Sequence, residues 1–384
     1  MTPSLRILHC LRAPIGGLFR HVHDLVKGQA ELGLQVGVIC DSETGGENAA
    51  RALARLTDFC TLGVARCPMP RQIRPGDFTA YRRLKRLAAS LDVDVLHGHG
   101  AKGGAYARLA YAGKAVVRAY TPHGGSLLLD HHSLSGRAYM RMERVLMPRG
   151  NLYLFESAFS ADVFRAEVGT PPGLVRIIPN GVGKAEFEPV TAAADATDLV
   201  FIGELRAVKG IDTLLHAVAL LHRNGFPAAV TLIGDGPDAA ALRAHVASLS
   251  LDAVVRFLPA MPMRQALTRG KLVVIPSRAE SMPYVVLEIA AAGRPMIATN
   301  VGGIPEIYGE LSHLLVPPGD SPALAEAIRR CLADPSASAA NAELLRARIA
   351  AGFSVDAMVD GVLGGYQQAL ERTLAPGRAQ LARA

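Results

Sequence analysis

The chain is predicted to form two tandem α/β domains. Each is a doubly wound (Rossmann-like) parallel sheet, and the strand C-terminal ends of the two face each other across a cleft. Three observations carry this. Short β-rich apolar runs alternate with helical patterns of 10–15 residues from Leu5 onward. The alternation stops at Asn180-Gly181, a turn signal, and at the polar Ala/Pro-containing segment Glu186–Thr197, then starts again. A length of 384 residues is long for one core and ordinary for two.

In the first series Leu5–Cys10, Gln35–Cys40, Val93–His97, Ala115–Tyr120, Leu152–Phe155 and Val175–Pro179 read as strands. Between them Gly17–Leu32, Asp77–Ser90, Ala101–Ala112, Leu134–Leu146 and Ser157–Glu167 read as helices. In the second series the strands are Leu199–Gly203, Ala229–Gly234, Val254–Phe257, Leu272–Pro276 and Met296–Thr299. The intervening helices are Lys209–His222, Pro237–Ser248, Arg264–Arg269, Val285–Ala292 and Pro322–Ala333. Asn341 through Arg372 is largely helical and a basic tail follows. The expected domains are therefore residues 1–187, 188–352 and a C-terminal helix, 353–384, that crosses back to the first domain.

Composition narrows the function. Half the residues are apolar, few are aromatic and none is Trp. The five cysteines are scattered without metal-ligand spacing and read as thiols of a reducing cytoplasm. No apolar run approaches the ~20 residues of a membrane span, and no signal-peptide pattern opens the chain. Charge is uneven: residues 1–190 carry 24 Lys and Arg against 16 Asp and Glu, net +8, while the remainder carries 17 against 18, net −1. The excess in Arg66–Arg86 and Lys102–Arg149 suits weak contact with an anionic membrane surface, at the inner face of the cytoplasmic membrane. Nucleic acid is not expected, because aromatics to stack bases are scarce and no binding module is present. Neither half has Gly-x-Gly-x-x-Gly after its first strand, nor a P-loop, which disfavours dehydrogenases and ordinary NTPases.

The most telling segment is Pro276-Ser277-Arg278-Ala279-Glu280-Ser281-Met282-Pro283-Tyr284-Val285-Val286-Leu287-Glu288. Glu280 falls on a strand-to-helix loop and Glu288 one to two turns into the helix. Eight residues of mixed loop and helix span roughly 10–12 Å at 1.5 Å rise per helical residue. That is about the distance from hexose to ribose in a nucleotide-sugar, with the diphosphate against the helix N-terminus formed by Ser281, Met282, Pro283 and Tyr284. Gly16-Gly17 after the first strand lets backbone N–H groups approach a phosphate closely, and Lys209 beside Gly210 offers an ammonium to a diphosphate. His97 and His99 close a strand and, with Lys102, read as lining the cleft near an acceptor. No third ligand is apparent beside these two histidines, so no metal is assigned to them. His131 and His132 read as loop residues.

Together these residues resemble the retaining glycosyltransferases of family 4, which have the GT-B fold. The likeness runs from residue 5 to about residue 335. It is carried by Pro276–Glu288 with Gly293-Arg-Pro-Met-Ile-Ala-Thr-Asn-Val-Gly302-Gly303-Ile-Pro-Glu306, by Gly203-Glu-Leu-Arg206-Ala-Val-Lys209-Gly210, by Gly234-Asp-Gly236-Pro237, and by Gly16-Gly17 and Thr121-Pro-His123-Gly124. The chain departs from the family where Glu204 replaces the usual Arg, so that Arg206 supplies the guanidinium, and where Ser281 replaces a common Gly. The resemblance implies transfer of a hexosyl unit from a nucleoside-diphosphate sugar to a glycan or a polyprenyl-diphosphate-linked acceptor, in exopolysaccharide or envelope synthesis. Glu280, His123, Lys209 and Arg206 are then the catalytic group. Gly16, Gly17, Gly203, Gly234, Ser281, Met282, Pro283, Tyr284 and Glu288 bind the donor. No cofactor or metal is expected. A sugar-nucleotide epimerase, or a non-catalytic nucleotide-sugar-binding partner in polysaccharide assembly, are the alternatives.

Overall fold

The computed structural model describes residues 4–72, 74–110, 116–128 and 133–381. His131, His132 and the outer ends of the expected elements Ala101–Ala112 and Ala115–Tyr120 lie outside them. The chain divides into two compact units, residues 1–180 with 355–384, and residues 181–354.

The first unit runs β1 (Arg6–Leu11), α1 (Gly16–Glu31), β2 (Gln35–Asp41), α2 (Gly46–Thr57), β3 (Val64–Cys67), α3 (Gly76–Ser90), β4 (Val95–His99), α4 (Gly100–Leu109), β5 (Val117–Thr121), α5 (Leu134–Leu146), β6 (Leu152–Phe155), α6 (Ala158–Glu167) and β7 (Leu174–Ile177). Its seven strands pair in the order β3-β2-β1-β4-β5-β6-β7, and every pairing is parallel. Strands with both faces covered read as largely apolar runs, which is why β1, broken only by His9, and β2 up to Cys40 were legible. The winding reverses between β1 and β4, and His9 is the register partner of His97 across that junction.

The second unit runs β8 (Thr197–Ile202), α7 (Ile211–Arg223), β9 (Val230–Ile233), α8 (Ala239–Ser248), β10 (Val255–Leu258), α9 (Met263–Ala266), β11 (Gly270–Ile275), α10 (Tyr284–Ala291), β12 (Met296–Ala298), α11 (Ile304–Tyr308), α12 (Ser321–Ala333) and α13 (Pro335–Gly352). Five parallel strands pair in the order β10-β9-β8-β11-β12, reversing between β8 and β11. One apolar layer holds Leu199, Phe201, Leu232 and Val274 under α7 and α12, and the other holds Val200, Val273 and Ile275 under α10.

The last helix, α14 (Val355–Leu381), belongs to the first unit. Met358, Val359, Val362, Tyr366 and Ala369 recur at helical spacing and pack on Ile7, Val95, Val117, Leu152 and Leu154. Each buried Met or Val of this stripe contributes about 1.5–3 kcal/mol by leaving water, enough together to hold a helix that propensity alone would not. No helix among the described residues is long and apolar enough to cross a membrane.

Candidate active site

In doubly wound sheets ligands bind beyond the strand C-terminal ends where the winding reverses. In the second unit that point lies between β8 and β11, and the residues singled out by sequence converge there. The loop after β8 carries Gly203, Glu204, Arg206 and Lys209; the loop after β11 carries Ser277, Glu280 and Ser281. Lys209 Nζ donates to Glu280 Oε1 at 2.6 Å, and Ser277 Oγ donates to the same oxygen at 2.6 Å. Glu280 is 7% exposed, and Oε2 has no hydrogen bond among the described residues. Lys209 and Glu280, expected at the diphosphate and at the sugar respectively, are therefore ion-paired with each other.

Backbone contacts fix both loops. The Arg278 N–H donates to the Val208 carbonyl, and the Gly303 N–H to the Ser281 carbonyl at 2.6 Å. Gly210 and Gly302 make this possible: both adopt positive φ, and a Cβ would fall 1.9 Å from the Pro276 carbonyl oxygen and 1.8 Å from that of Glu280. Gly203 and Gly234 also abut, a Cβ on Gly234 reaching within 1.9 Å of the Gly203 oxygen. Asp238 Oδ2 accepts the Ala207 N–H at 2.7 Å, which joins the loop after β9 to the loop after β8.

The Met282 side chain is 4% exposed and packs in the core with Val286 and Ile304, so what it brings to the expected donor site is its backbone. Pro283 caps α10 with extended backbone and no side-chain cap, so this stretch, with Ser281 and Tyr284 at 9% and 8% exposure, offers main chain rather than side chains. Arg206 turns onto Glu204 at 2.8 Å, the two side chains being 42% and 49% exposed. Glu288 is half-buried in the second turn of α10.

The reversal point of the first unit holds a second cluster. Gly16 opens α1 at φ +69 with no side-chain cap, and Ile15, Gly16 and Gly17 are exposed. His123 sits just past β5 at φ +55, a left-handed backbone unusual for a non-glycine residue and a form of strain that gathers at functional sites. His97 and His99, expected to line a cleft, are instead 0% and 1% exposed, because β4 is the central strand of a sheet covered on both faces. Lys102 is not a free cation either; its ammonium is held by Asp77 and the Gln72 carbonyl.

The expectation that no third ligand lies beside His97 and His99 is also overturned. Nitrogens of His9, His97 and His99 come within 4.8 Å of one another, as do those of His21, His99 and His123. Hydrogen bonds join three of these rings, His9 to His99 at 2.9 Å and His99 to His123 at 3.0 Å, while His97 bonds to Tyr366 at 2.7 Å and to Thr121 at 2.9 Å, and His21 to Asn180 at 2.9 Å. The Asp-x-Asp of the chain, Asp92-Val93-Asp94, lies at the opposite end of β4, where Asp94 accepts the Arg6 N–H at 2.9 Å. Desolvation lowers the pKa of His9 and of His21 to about 4, and holds His97, His99 and His123 well below the ordinary histidine value. These imidazoles are neutral at pH 7 and act as hydrogen-bonding groups rather than cations.

Sequence reasoning passed over His9, His21, Gln29 and Ser277. His9 interrupts an apolar strand, a signal that was available; its pairing with His97, 88 residues later in sequence, was not.

Comparison with known proteins agrees with both halves. Residues 15–185 match the model described as Glycosyltransferase Family 4, and residues 196–334 the model for Glycosyl transferases group 1. The chain is 28% identical to D-inositol 3-phosphate glycosyltransferase 1 of Catenulispora acidiphila, covering 93% of this chain and 91% of that protein. Among solved structures, HepE of Anabaena in complex with UDP and glucose aligns with a TM-score of 0.79 at 20% identity, covering 94% of this chain and 99% of the other. Sucrose-phosphate synthase of Thermosynechococcus elongatus aligns with a TM-score of 0.77 at 21% identity, over 94% and 98%. With two parallel sheets of this order and family matches spanning both units, the chain belongs to the family-4 and group-1 glycosyltransferases of GT-B fold.

Proposed function

We propose that this enzyme transfers a hexosyl unit from a nucleoside-diphosphate sugar, with retention of configuration, to a glycan or lipid-linked acceptor. The observation that carries the reading is the Lys209–Glu280–Ser277 cluster at the β8/β11 reversal point, a buried carboxylate with one oxygen anchored and one available. The donor's diphosphate sits against the α10 N-terminus and Lys209, beside the loops that the close Gly203–Gly234 approach holds together. Glu280 Oε2 takes a sugar hydroxyl, and Glu288 the ribose hydroxyls. Arg206 leaves Glu204 for the phosphates, at small cost because an exposed ion pair contributes only about 0–1 kcal/mol. In Anabaena HepE, UDP and glucose occupy a protein of the same fold, which supports a donor of this class.

In the reaction the bond from the anomeric carbon to the diphosphate oxygen breaks, and its electron pair leaves with the diphosphate. The acceptor oxygen bonds to the same carbon on the same face, and its proton passes to the departing phosphate. Lys209, Arg206 and helix amides stabilise the growing negative charge, the role a divalent ion plays elsewhere. Release of nucleoside diphosphate is therefore expected to proceed in EDTA and to give product with the donor's anomeric configuration. An EDTA-dependent loss restored by a divalent ion, or inverted product by NMR, contradicts this reading.

The acceptor is proposed to be presented at the inner face of the cytoplasmic membrane. The support is a basic, partly apolar surface on the first unit. Helix α3 carries Arg82, Arg83, Lys85 and Arg86, with Phe78 61% exposed; α5 carries Arg137, Arg141 and Arg144, with Leu134 86% exposed. Each basic residue near an anionic surface contributes about 1 kcal/mol, screened beyond a Debye length of ~10 Å at 0.1 M salt. Co-sedimentation with phosphatidylglycerol vesicles is expected at 20 mM salt and not at 0.5 M, where the screening length is roughly fivefold shorter. Equal binding to phosphatidylcholine vesicles would refute the electrostatic account.

A further inference from the structure

The histidines of the first unit form a directional chain. Gln29 Oε1, a carbonyl oxygen that can only accept, lies 2.9 Å from His9 Nε2. His9 Nε2 therefore carries the proton, which leaves Nδ1 of the neutral ring as an acceptor. His9 Nδ1 is 2.9 Å from His99 Nε2, so His99 donates there and keeps a bare Nδ1. His99 Nδ1 is in turn 3.0 Å from His123 Nε2, which must donate to it. Each ring is protonated on Nε2, and the last, His123, is left with an unprotonated Nδ1.

We propose that Gln29, His9 and His99 are positioning residues that fix the tautomer of His123, so that His123 Nδ1 serves as a hydrogen-bond acceptor for a sugar hydroxyl of the substrate. The proposal rests on the reading that His123 meets a bound sugar. His9 is 0% and His99 1% exposed, so water does not compete for their ring nitrogens, while His123 alone of the three is partly exposed. The left-handed backbone at His123, flanked by Pro122 and Gly124, holds its ring on the end of the chain. Neutral rings are required, since a second proton on His9 would reverse the donors along the chain; burial supplies that neutrality. Sequence alone places Gln29 on a helix with nothing to distinguish it; the structure makes its amide the source of polarity for a site three rings away.

The test reads tautomers directly, in long-range 1H–15N spectra of histidine-labelled protein. The wild-type chain is expected to show Nε2–H at His9, His99 and His123. In Gln29→Met, which keeps length but removes the acceptor, His99 and His123 are expected to become mixtures of tautomers. If about a third to a half of His123 remains competent, kcat/KM for the sugar substrate falls about twofold to threefold, with the affinity for free nucleoside diphosphate unchanged. Nδ1–H at His123 in the wild-type protein, or an unaltered His123 signal in Gln29→Met, overturns the relay. Spectra as expected with unaltered kcat/KM overturn the link from His123 to the sugar, and leave the donor site of the second unit to be judged by its own variants.

Discussion

Glu280→Gln is expected to lower kcat by about 10²–10³-fold while nucleoside-diphosphate binding stays within about threefold, the usual outcome when one preorganised electrostatic contact is removed from a reacting centre. Gln preserves the volume of Glu and can still accept from Ser277 Oγ, so the buried loop keeps its shape. What is lost is the charge facing Lys209 and the acceptor strength of the oxygen offered to the sugar. Lys209 is 24% exposed at its side chain and can turn to water or to the phosphates, so the protein keeps most of its stability. The split between turnover and nucleotide affinity is what separates a sugar-contacting carboxylate from a structural one. Isothermal titration with the nucleoside diphosphate, beside initial-rate kinetics, reads both. A variant with full activity removes Glu280 from the mechanism; one that neither binds nor turns over makes it a folding residue.

Acidification is expected to destabilise the protein well above the pH at which carboxylates protonate. The folded-state pKa values of His9 and His21 are depressed to about 4 by burial, against 6.5 in the unfolded chain. Below pH 6.5 the unfolded chain therefore takes up protons that the fold excludes. Stability is fully present above that pH and declines as pH falls toward 4, by up to about 1.4 kcal/mol per pH unit for each histidine. The two together make roughly 3 kcal/mol per pH unit, a large share of a net stability of about 5–15 kcal/mol. His97, His99 and His123 act in the same direction. The carboxylates act lower: Asp24, Asp41 and Asp77 have folded pKa values below the ordinary aspartate value, so their contribution is lost only as pH falls below about 4. Urea midpoints at pH 7, 6 and 5 check this. A flat profile over that range would show that the cluster is hydrated, contrary to its burial.

Much of the architecture was legible because parallel strands covered on both faces leave largely apolar runs. Leu5–Cys10, Gln35–Cys40 and Leu272–Pro276 stand out for that reason, and β1, β2 and β11 follow them closely. Helix α2 and strand β3 were missed. The strand is a four-residue edge, VARC, with three of its positions only half-buried, so no apolar stripe marks it. The start of α13 also differs from the expected Asn341: the helix begins at Pro335, where Asp334 caps it by accepting the Ala337 N–H. In the second unit the strand–loop–helix context of Pro276–Glu288 pointed to the site, because its spacing is local. The pairing of Lys209 with Glu280, 71 residues apart, depends on two loops meeting where β8 and β11 lie side by side. The histidine chain was illegible for the same reason. His9, Gln29, His99 and His123 are joined by strand order, which no local pattern in the sequence specifies.

The most direct test of the central claim, that the β8/β11 reversal point of the second unit holds an activated sugar through its pyrophosphate, is thermal unfolding with a panel of nucleoside-diphosphate sugars, for the wild-type chain and for Lys209→Met. At a ligand concentration of 100 Kd, one donor is expected to stabilise the wild-type protein by about 2.7 kcal/mol, and the variant by far less at that same concentration. No stabilisation by any of the sugars at millimolar concentration, or an undiminished shift in Lys209→Met, contradicts it.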